Sequence, residues 1–248
     1  MKPLKWYKSL QMRKGRRQHG CFAIEGIRAV SKAIELAPQS VCEILVDQSC
    51  RVDIPPHTAA VRYLTDRQYS YISAHQTPQG IMAILRIPEA WEEAHLPAEV
   101  PGRILFLEDV QDPGNIGTLI RTAAAFAFEG IIMTGRCADP FGPKALQASA
   151  GSVCGVWIRR TDAWLSLLKT LKERAYILIA AHMGGESVWR FSHEDKIILA
   201  LGNEGGGLSS EVLDHSDSIY TIPINREKAE SLNVAVAGGI CMGKAIGM

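Results

Sequence analysis

The chain has 248 residues, 47% of them hydrophobic and 21% charged, which predicts one or two globular domains with a substantial core. Its 22 glycines and 12 prolines follow no collagen period, no repeat of 20 to 50 residues recurs, and the longest apolar runs fall far short of the ~20 residues of a membrane span. Fibrous, solenoid and membrane-spanning classes are therefore not expected. A net charge of +1 conceals an asymmetry: residues 1–98 carry 13 Lys and Arg against 9 Asp and Glu, whereas residues 99–248 carry 14 against 17.

The first 20 residues hold Lys2, Lys5, Lys8, Arg13, Lys14, Arg16 and Arg17 and no acidic residue. Such a block reads either as a solvated basic tail or as a phosphate-contacting segment, and the interleaved Trp6 and Tyr7 favour nucleic acid through base stacking. It lacks the apolar stretch of a secretory leader. The six cysteines (Cys21, Cys42, Cys50, Cys137, Cys154, Cys241) are scattered, with no C-x-x-C pair and no zinc-ligand spacing. Neither a disulfide framework nor a metal site is expected, and the expected location is cytoplasmic.

From Phe22 the pattern predicts a helix over Glu25–Leu36, a strand over Cys42–Val46, a helix over Asp66–Ala74 and a strand over Gly80–Leu85. Residues 87–102, with Pro88, Pro97, Pro101 and four carboxylates, read as a linker, so a domain boundary is placed near 98–102. Beyond it, short apolar strands (Ile104–Glu108, Ile131–Thr134, Val153–Arg159, Tyr176–Ala181, Ile197–Leu201, Ser218–Ile222) alternate with helical patterns (Ile116–Phe126, Pro143–Ser149, Asp162–Arg174, Ser209–Asp214, Asn233–Ile246). That alternation predicts an α/β domain with a mostly parallel sheet, whose chemistry belongs in the loops beyond the strands' carboxyl ends.

Three such loops stand out. After Leu107, the residues Asp112, Pro113, Gly114 and Asn115 supply turn and N-cap chemistry, and Arg121 falls in the following helix, where an ion pair with Glu108 or Asp109 is the ordinary reading. After Leu201, Gly202, Gly205, Gly206 and Gly207 surround Asn203 and Glu204 and let backbone approach a ligand. No G-x-G-x-x-G can be read, which disfavours a nicotinamide cofactor. After Ile222-Pro223, a polar loop leads to Ser231-Leu232-Asn233 and a helix of small residues. That helix nearly spells a P-loop with Gly238, Gly243 and Lys244, but Ala245 offers no magnesium ligand and the match lies inside a helix. His182 and His193 read as structural, Trp164, Leu165, Leu168 and Leu171 as a packing stripe, and Cys154 as a buried small residue in a strand.

The motifs N-x-G-x-x-x-R-T-A (Asn115–Ala123), L-G-N-E-G-x-G-L (Leu201–Leu208) and I-P-I followed by S-L-N-V-A-V-A (Ile222–Ala237) together resemble those of the SpoU, or TrmH-type, 2′-O-ribose RNA methyltransferases. F-A-I-E-G-I-R (Phe22–Arg28) and T-P-Q-G-I-M-A (Thr77–Ala83) are similar to that family's substrate-binding module, which resembles ribosomal protein L30e. The resemblance implies a small L30e-like domain over residues 1–98 and a methyltransferase domain over residues 102–248 with a deep C-terminal trefoil knot, assembled as a homodimer. It implies S-adenosylmethionine as cofactor, on Gly202, Ile222 and Leu232, with Asn203, Gly205, Pro223, Ile224, Asn233 and Ala235 lining the pocket. The implied catalytic cluster is Arg121 with Asn115, Glu204, Ser231 and Asn233. Ala235 departs from the serine frequent in relatives. The implied substrate is structured RNA, ribosomal RNA first and transfer RNA second, with no metal and no membrane. Two alternatives are a non-catalytic RNA- or ribosome-binding protein of the same fold and a knotted enzyme methylating a base nitrogen. The intact motifs argue against the first, and the Asn115/Arg121 pair against the second.

Overall fold

The computed structural model describes residues 2–51, 53–190 and 194–248, which form two compact units: Met1–Glu89 with Asp139–Gly155, and Ala90–Ala138 with Val156–Met248. His193 lies outside the described residues. No helix among the described residues is long and apolar enough to cross a membrane.

The first unit holds a four-stranded sheet, in the order β1 (Cys21–Glu25), β4 (Ile81–Arg86), β2 (Val41–Asp47), β3 (Ala60–Leu64). β4 runs antiparallel to β1 and β2, while β3 adds parallel to β2. Helices α3 (Ile27–Leu36) and α4 (Asp66–Ile72) accompany it, the latter opened by a reciprocal cap between Thr65 and Gln68. Two of the four strands escape a reading of hydrophobic periodicity. In β1, Phe22 and Ile24 alternate inward, so the predicted helix at Glu25 starts only at Ile27. β3 is an edge strand whose Val61 and Tyr63 are exposed; backbone pairing, not an apolar stripe, holds it.

The basic leader is no solvated tail. It forms α1 (Leu4–Ser9) and α2 (Arg13–His19); Tyr7 and Leu10 are buried in the core with Leu45, Leu64, Tyr69, Ile72, Met82 and Ile84. Arg16 is also buried, donating to the carbonyls of Leu10 and Gln11 and to Asp139 Oδ2 at 2.6 Å. Residues 139–155, including α6 (Pro143–Ser149), thus join the first unit. The strand expected at Val153–Arg159 is shorter accordingly: Ser152–Gly155 is a 3-10 turn carrying a half-buried Cys154, and β7 begins at Trp157. Residues 90–98 belong to the second unit, where Trp91 is buried near Arg160 and the His95 carbonyl accepts from Arg159 Nε at 2.7 Å.

The second unit is a six-stranded sheet in which every neighbouring pair is parallel, in the order β10 (Ser218–Thr221), β8 (Ile177–Ser187), β9 (Ile197–Leu201), β5 (Arg103–Leu107), β6 (Gly130–Met133), β7 (Trp157–Arg160). β9 and β6 are buried throughout, as an apolar run covered on both faces requires, and each fully buried Ile or Leu contributes roughly 1.5–3 kcal/mol. Helix α7 (Trp164–Glu173) buries Leu167, Leu168 and Leu171 and sets Trp164 against Phe106; Leu167 replaces Leu165 in the expected stripe. α5 (Pro113–Ala125), α8 (Ser210–His215) and α9 (Val234–Ala245) complete the unit, and the P-loop-like letters fall inside α9.

Strand order reverses between β5, which leads outward to β6 and β7, and β9, which leads the other way. Their carboxyl ends form the crevice where parallel sheets bind ligands.

Candidate active site

β5 and β9 pair with Leu107 opposite Leu201, and the Glu108 N–H continues the ladder to the Leu201 carbonyl at 2.9 Å, so the first two predicted loops emerge side by side. Asp112 caps α5, accepting from the N–H groups of Gly114 (2.7 Å) and Asn115 (3.0 Å), and thereby aims Asn115 off the first turn. Asn233 caps α9, accepting from Ala235 N–H at 2.8 Å. α9 packs on α5 at Gly238, where a Cβ would lie 2.5 Å from the Leu119 Cδ2 methyl and 2.7 Å from the Leu201 Cδ1 methyl, so glycine leaves room for these two buried leucines.

That packing joins all three loops in one hydrogen-bonded chain. Asn233 Nδ2 donates to Asn115 Oδ1 at 3.0 Å, and Asn115 Nδ2 donates to Glu204 Oε1 at 2.9 Å. The Gln111 and Asp112 N–H groups reach the same carboxylate at 3.3 and 3.4 Å. Burial alone would raise the Glu204 pKa, but the hydrogen bonds from Asn115 and from the backbone of Glu204, Gln111 and Asp112 outweigh it and hold the carboxyl below its ordinary value. A folded-state pKa below the unfolded one means that the stabilisation from Glu204 is complete above the ordinary carboxylate range and is lost as pH falls through the lower value. A carbon-detected titration of the Glu204 carboxyl is expected to show a midpoint under 4.5; a midpoint above it would contradict the network.

Asn203 holds the glycine loop. Its Oδ1 accepts from Gly205 and Gly206 N–H at 2.9 and 3.0 Å, its backbone bridges Gly207, and its Nδ2 donates to the Asp109 carbonyl at 2.8 Å. Asp109 adopts φ 55°, a left-handed conformation costly for a side chain other than glycine. Thr134 holds it there, donating to Asp109 Oδ1 at 2.6 Å and accepting from Asp109 N–H at 2.9 Å, while Arg136 pairs with Oδ2 at 3.2 Å. No sequence pattern singled out this support; only the position of Asp109 at a strand's carboxyl end hinted at it. Thr134→Val removes both bonds without changing shape, and a cost of ~1–3 kcal/mol is expected. For this chain length that is a melting-temperature loss of roughly 2–4 °C per kcal/mol, and an unchanged Tm would contradict the role.

Arg121 does not pair with Glu108 or Asp109. Glu108 accepts from Ser209 N–H at 2.7 Å and Asp109 is committed to Thr134 and Arg136, so Arg121 projects exposed from α5 with no ion pair or hydrogen bond among the described residues. Ser231 is likewise exposed and outside the Asn115–Glu204–Asn233 chain. The cluster is thus three of the five predicted residues, with Arg121 and Ser231 apart from it.

The cofactor loops carry unspent backbone groups. Ile222, Ile224 and Leu232 make no backbone hydrogen bond among the described residues, Pro223 is exposed, and Ala235 is buried in the first turn of α9. A Cβ on Gly205 or Gly206 would meet only the Asn203 side chain, at 3.5 and 3.9 Å, so that side of the loop is open. Free amides and carbonyls beside open space suit a flat heterocycle recognised through backbone, which fits S-adenosylmethionine.

The profile of the SpoU rRNA Methylase family matches residues 102–243, and that of the MRM3-like substrate binding domain matches residues 2–83. The chain belongs to the SpoU rRNA methylase family. Over 96% of its length it is 31% identical to the 23S rRNA (guanosine(2553)-2′-O)-methyltransferase RlmP of Bacillus subtilis, covering 93% of that protein. Its fold is similar to that of a TrmH-family protein from Porphyromonas gingivalis (TM-score 0.84, 30% identity, 98% of this chain and 96% of the other). It also resembles an AdoMet-bound rRNA methyltransferase from Sinorhizobium meliloti (TM-score 0.80, 26% identity, 98% and 93%).

Proposed function

We infer that this chain transfers a methyl group from S-adenosylmethionine to a ribose 2′-hydroxyl of ribosomal RNA, with transfer RNA as the second candidate. The observation that carries this reading is the Asn233–Asn115–Glu204 chain, which ties the three family motifs together at the sheet's switch point, with Arg121 exposed further along α5. Family membership and the RNA named for the Bacillus relative support the substrate class.

In this reading, the backbone of Gly202, Ile222 and Leu232 holds the cofactor, and Asn203, Gly205, Pro223, Ile224, Asn233 and Ala235 line its pocket. When bound, S-adenosylmethionine supplies an electrophilic methyl on a sulfonium, so the protein's task is to orient the hydroxyl and accept its proton. Arg121 binds the phosphate next to the target ribose. A guanidinium with pKa above ~12 stays charged, so it stabilises negative charge developing on the 2′-oxygen and does not act as a base. The hydroxyl proton becomes acidic as the oxygen is alkylated, so even the low-pKa carboxylate of Glu204 suffices to accept it at a free lone pair. Asn115 and Asn233 fix that carboxylate, and Ser231 approaches the ribose from the third loop.

The first unit, Met1–Glu89 with Asp139–Gly155, serves as the substrate-binding domain and the second, Ala90–Ala138 with Val156–Met248, as the catalytic domain, in place of a single boundary near residues 98–102. A trefoil knot at the carboxyl end, a homodimer and a cytoplasmic site of action belong to the same reading; family membership supports the first two and the ribosomal RNA named for the relatives supports the third. The test is incubation with tritiated S-adenosylmethionine and, separately, ribosomal and transfer RNA from unmodified pools. Label in ribosomal RNA is expected; label in transfer RNA alone would reassign the substrate, and label in neither would overturn the reading.

A further inference from the structure

The first unit contains a groove that the chemistry above leaves unused. It is an open depression of about 630 Å³, lined by Lys2, Trp6, Gln18, His19, Glu43 and Ala60 with apolar neighbours, and this volume lies within the range of small-molecule sites. Its wall is aromatic: the Trp6 and His19 rings sit 4.9 Å apart at 33°, in contact with each other as a single tilted platform and too close to admit a ring between them. Lys2 Nζ lies over the Trp6 ring at 5.8 Å. An exposed cation–π contact is weak, and the flexible lysine is displaced readily by anything that stacks better.

The groove is also polar in a specific pattern. Glu43 lies within it, oriented by the Tyr7 hydroxyl, which donates to its Oε2 at 2.6 Å. Arg62 in turn donates to the Tyr7 oxygen at 3.3 Å and to the Lys2 carbonyl at 2.8 Å, tying the leader to the sheet edge. A carboxylate accepts from the N–H groups on a base edge, and Gln18 offers both donor and acceptor. The first 20 residues carry Lys2, Lys5, Lys8, Arg13, Lys14 and Arg17 besides the buried Arg16 and no acidic residue, so the surface of the leader is complementary to a polyanion although the whole chain is nearly neutral.

We propose that this groove binds one unstacked nucleobase of the RNA substrate: the base stacks on the Trp6–His19 platform, its edge donates to Glu43, and Lys2 swings out to the adjoining phosphate. The proposal rests on the reading of the chain as an RNA methyltransferase and names where the first unit grips single-stranded or loop nucleotides. A fully paired helix, whose bases are not splayed out, has no access to such a platform.

The test uses the full chain and two fluorescein-labelled RNA probes of equal strand length, an unstructured single strand and a blunt-ended, fully paired duplex, read by anisotropy. Wild type is expected to prefer the single strand. Trp6 also packs on the core, so it is replaced by leucine, which keeps apolar filling but removes the stacking face; a loss of roughly 5- to 150-fold in affinity is expected. Trp6→Phe should restore most of it, and Lys2→Ala should lower the slope of log affinity against log salt by about one. Methyl transfer by Trp6→Leu at saturating RNA should keep its kcat while KM for RNA rises. Equal affinity of Trp6→Leu and wild type, a kcat loss with unchanged KM, or no wild-type binding to either probe would overturn the proposal. If wild type methylates RNA but Trp6→Leu changes neither affinity nor KM, the groove fails and the enzymatic reading stands. If single strands bind through Trp6 yet no RNA accepts methyl, the enzymatic reading fails and the groove stands.

Discussion

Arg121→Ala is expected to lower kcat/KM for methyl transfer by roughly 10²–10³-fold, the usual effect of removing one positioned group that stabilises developing charge. Affinity for S-adenosylmethionine should stay nearly unchanged, because Arg121 lies outside the loops that hold Gly202, Ile222 and Leu232. Stability should also stay unchanged: the side chain is exposed and makes no ion pair or hydrogen bond among the described residues. Arg121→Lys keeps the charge but loses the planar fork, so it should recover only part of the rate. Transfer assays paired with calorimetric titration of the cofactor check this directly; loss of cofactor affinity in Arg121→Ala would refute the assignment.

Gly202→Ala should act in the opposite way, on cofactor binding and folding together. A Cβ at Gly202 would land inside contact distance of the Gly207 carbonyl group and the Leu208 nitrogen, and these are backbone atoms that cannot swing aside. The bridge between Asn203 and Gly207, closed by bonds of 3.0 and 2.9 Å, must then open. With it go the Asn203 bond to Asp109 and the placement of Glu204 against Asn115. An overpacking cost of ~1–3 kcal/mol is expected, a melting loss of roughly 2–4 °C for each kcal/mol. Thermal melts with and without S-adenosylmethionine should show a ligand-induced rise in wild type and none in Gly202→Ala. Gly205→Ala, whose Cβ meets only Asn203 Oδ1 at 3.5 Å, should melt like wild type. A Gly202→Ala protein that melts and binds as wild type would contradict the close approach.

These two residues also mark what the sequence could reveal. Gly202 stood out because a glycine-rich loop directly after a fully apolar strand has few structural excuses, and β9 and β5 were legible because strands covered on both faces spell continuous apolar runs. The turn and cap residues of α5 were legible through their side-chain chemistry. β3 was not, because an edge strand with exposed Val61 and Tyr63 carries no face pattern. The leader misled in part: its charge suggested a polyanion surface, but Tyr7, Leu10 and Arg16 are buried, and the partner of Arg16 is Asp139, 123 residues away.

At the site, residue types were legible and their pairing was not. Asn233 caps α9 and Asn115 lies in the first turn of α5 behind the Asp112 cap, local placements any reader of the sequence could assign. That they also bond to each other follows from the packing of α9 on α5, a contact between segments more than 100 residues apart. The left-handed Asp109 and its Thr134 support were silent for the same reason, since strain at one residue is stabilised by a neighbour just past the end of β6. Arg121 shows the converse. Its ordinary fate as a surface ion pair was the simplest reading, and the structure spends both neighbouring carboxylates elsewhere.

The central claim is that the acceptor is a ribose hydroxyl, and the most direct test is the chemical form of the transferred methyl. After reaction of ribosomal RNA with tritiated S-adenosylmethionine, complete alkaline hydrolysis cleaves every linkage that has a free 2′-hydroxyl to attack it. A methyl on that oxygen blocks its own linkage, so the label is expected in an alkali-resistant dinucleotide that yields a single 2′-O-methyl nucleoside after nuclease and phosphatase treatment. Label recovered in a mononucleotide, as a methyl on a base must be, would contradict the account.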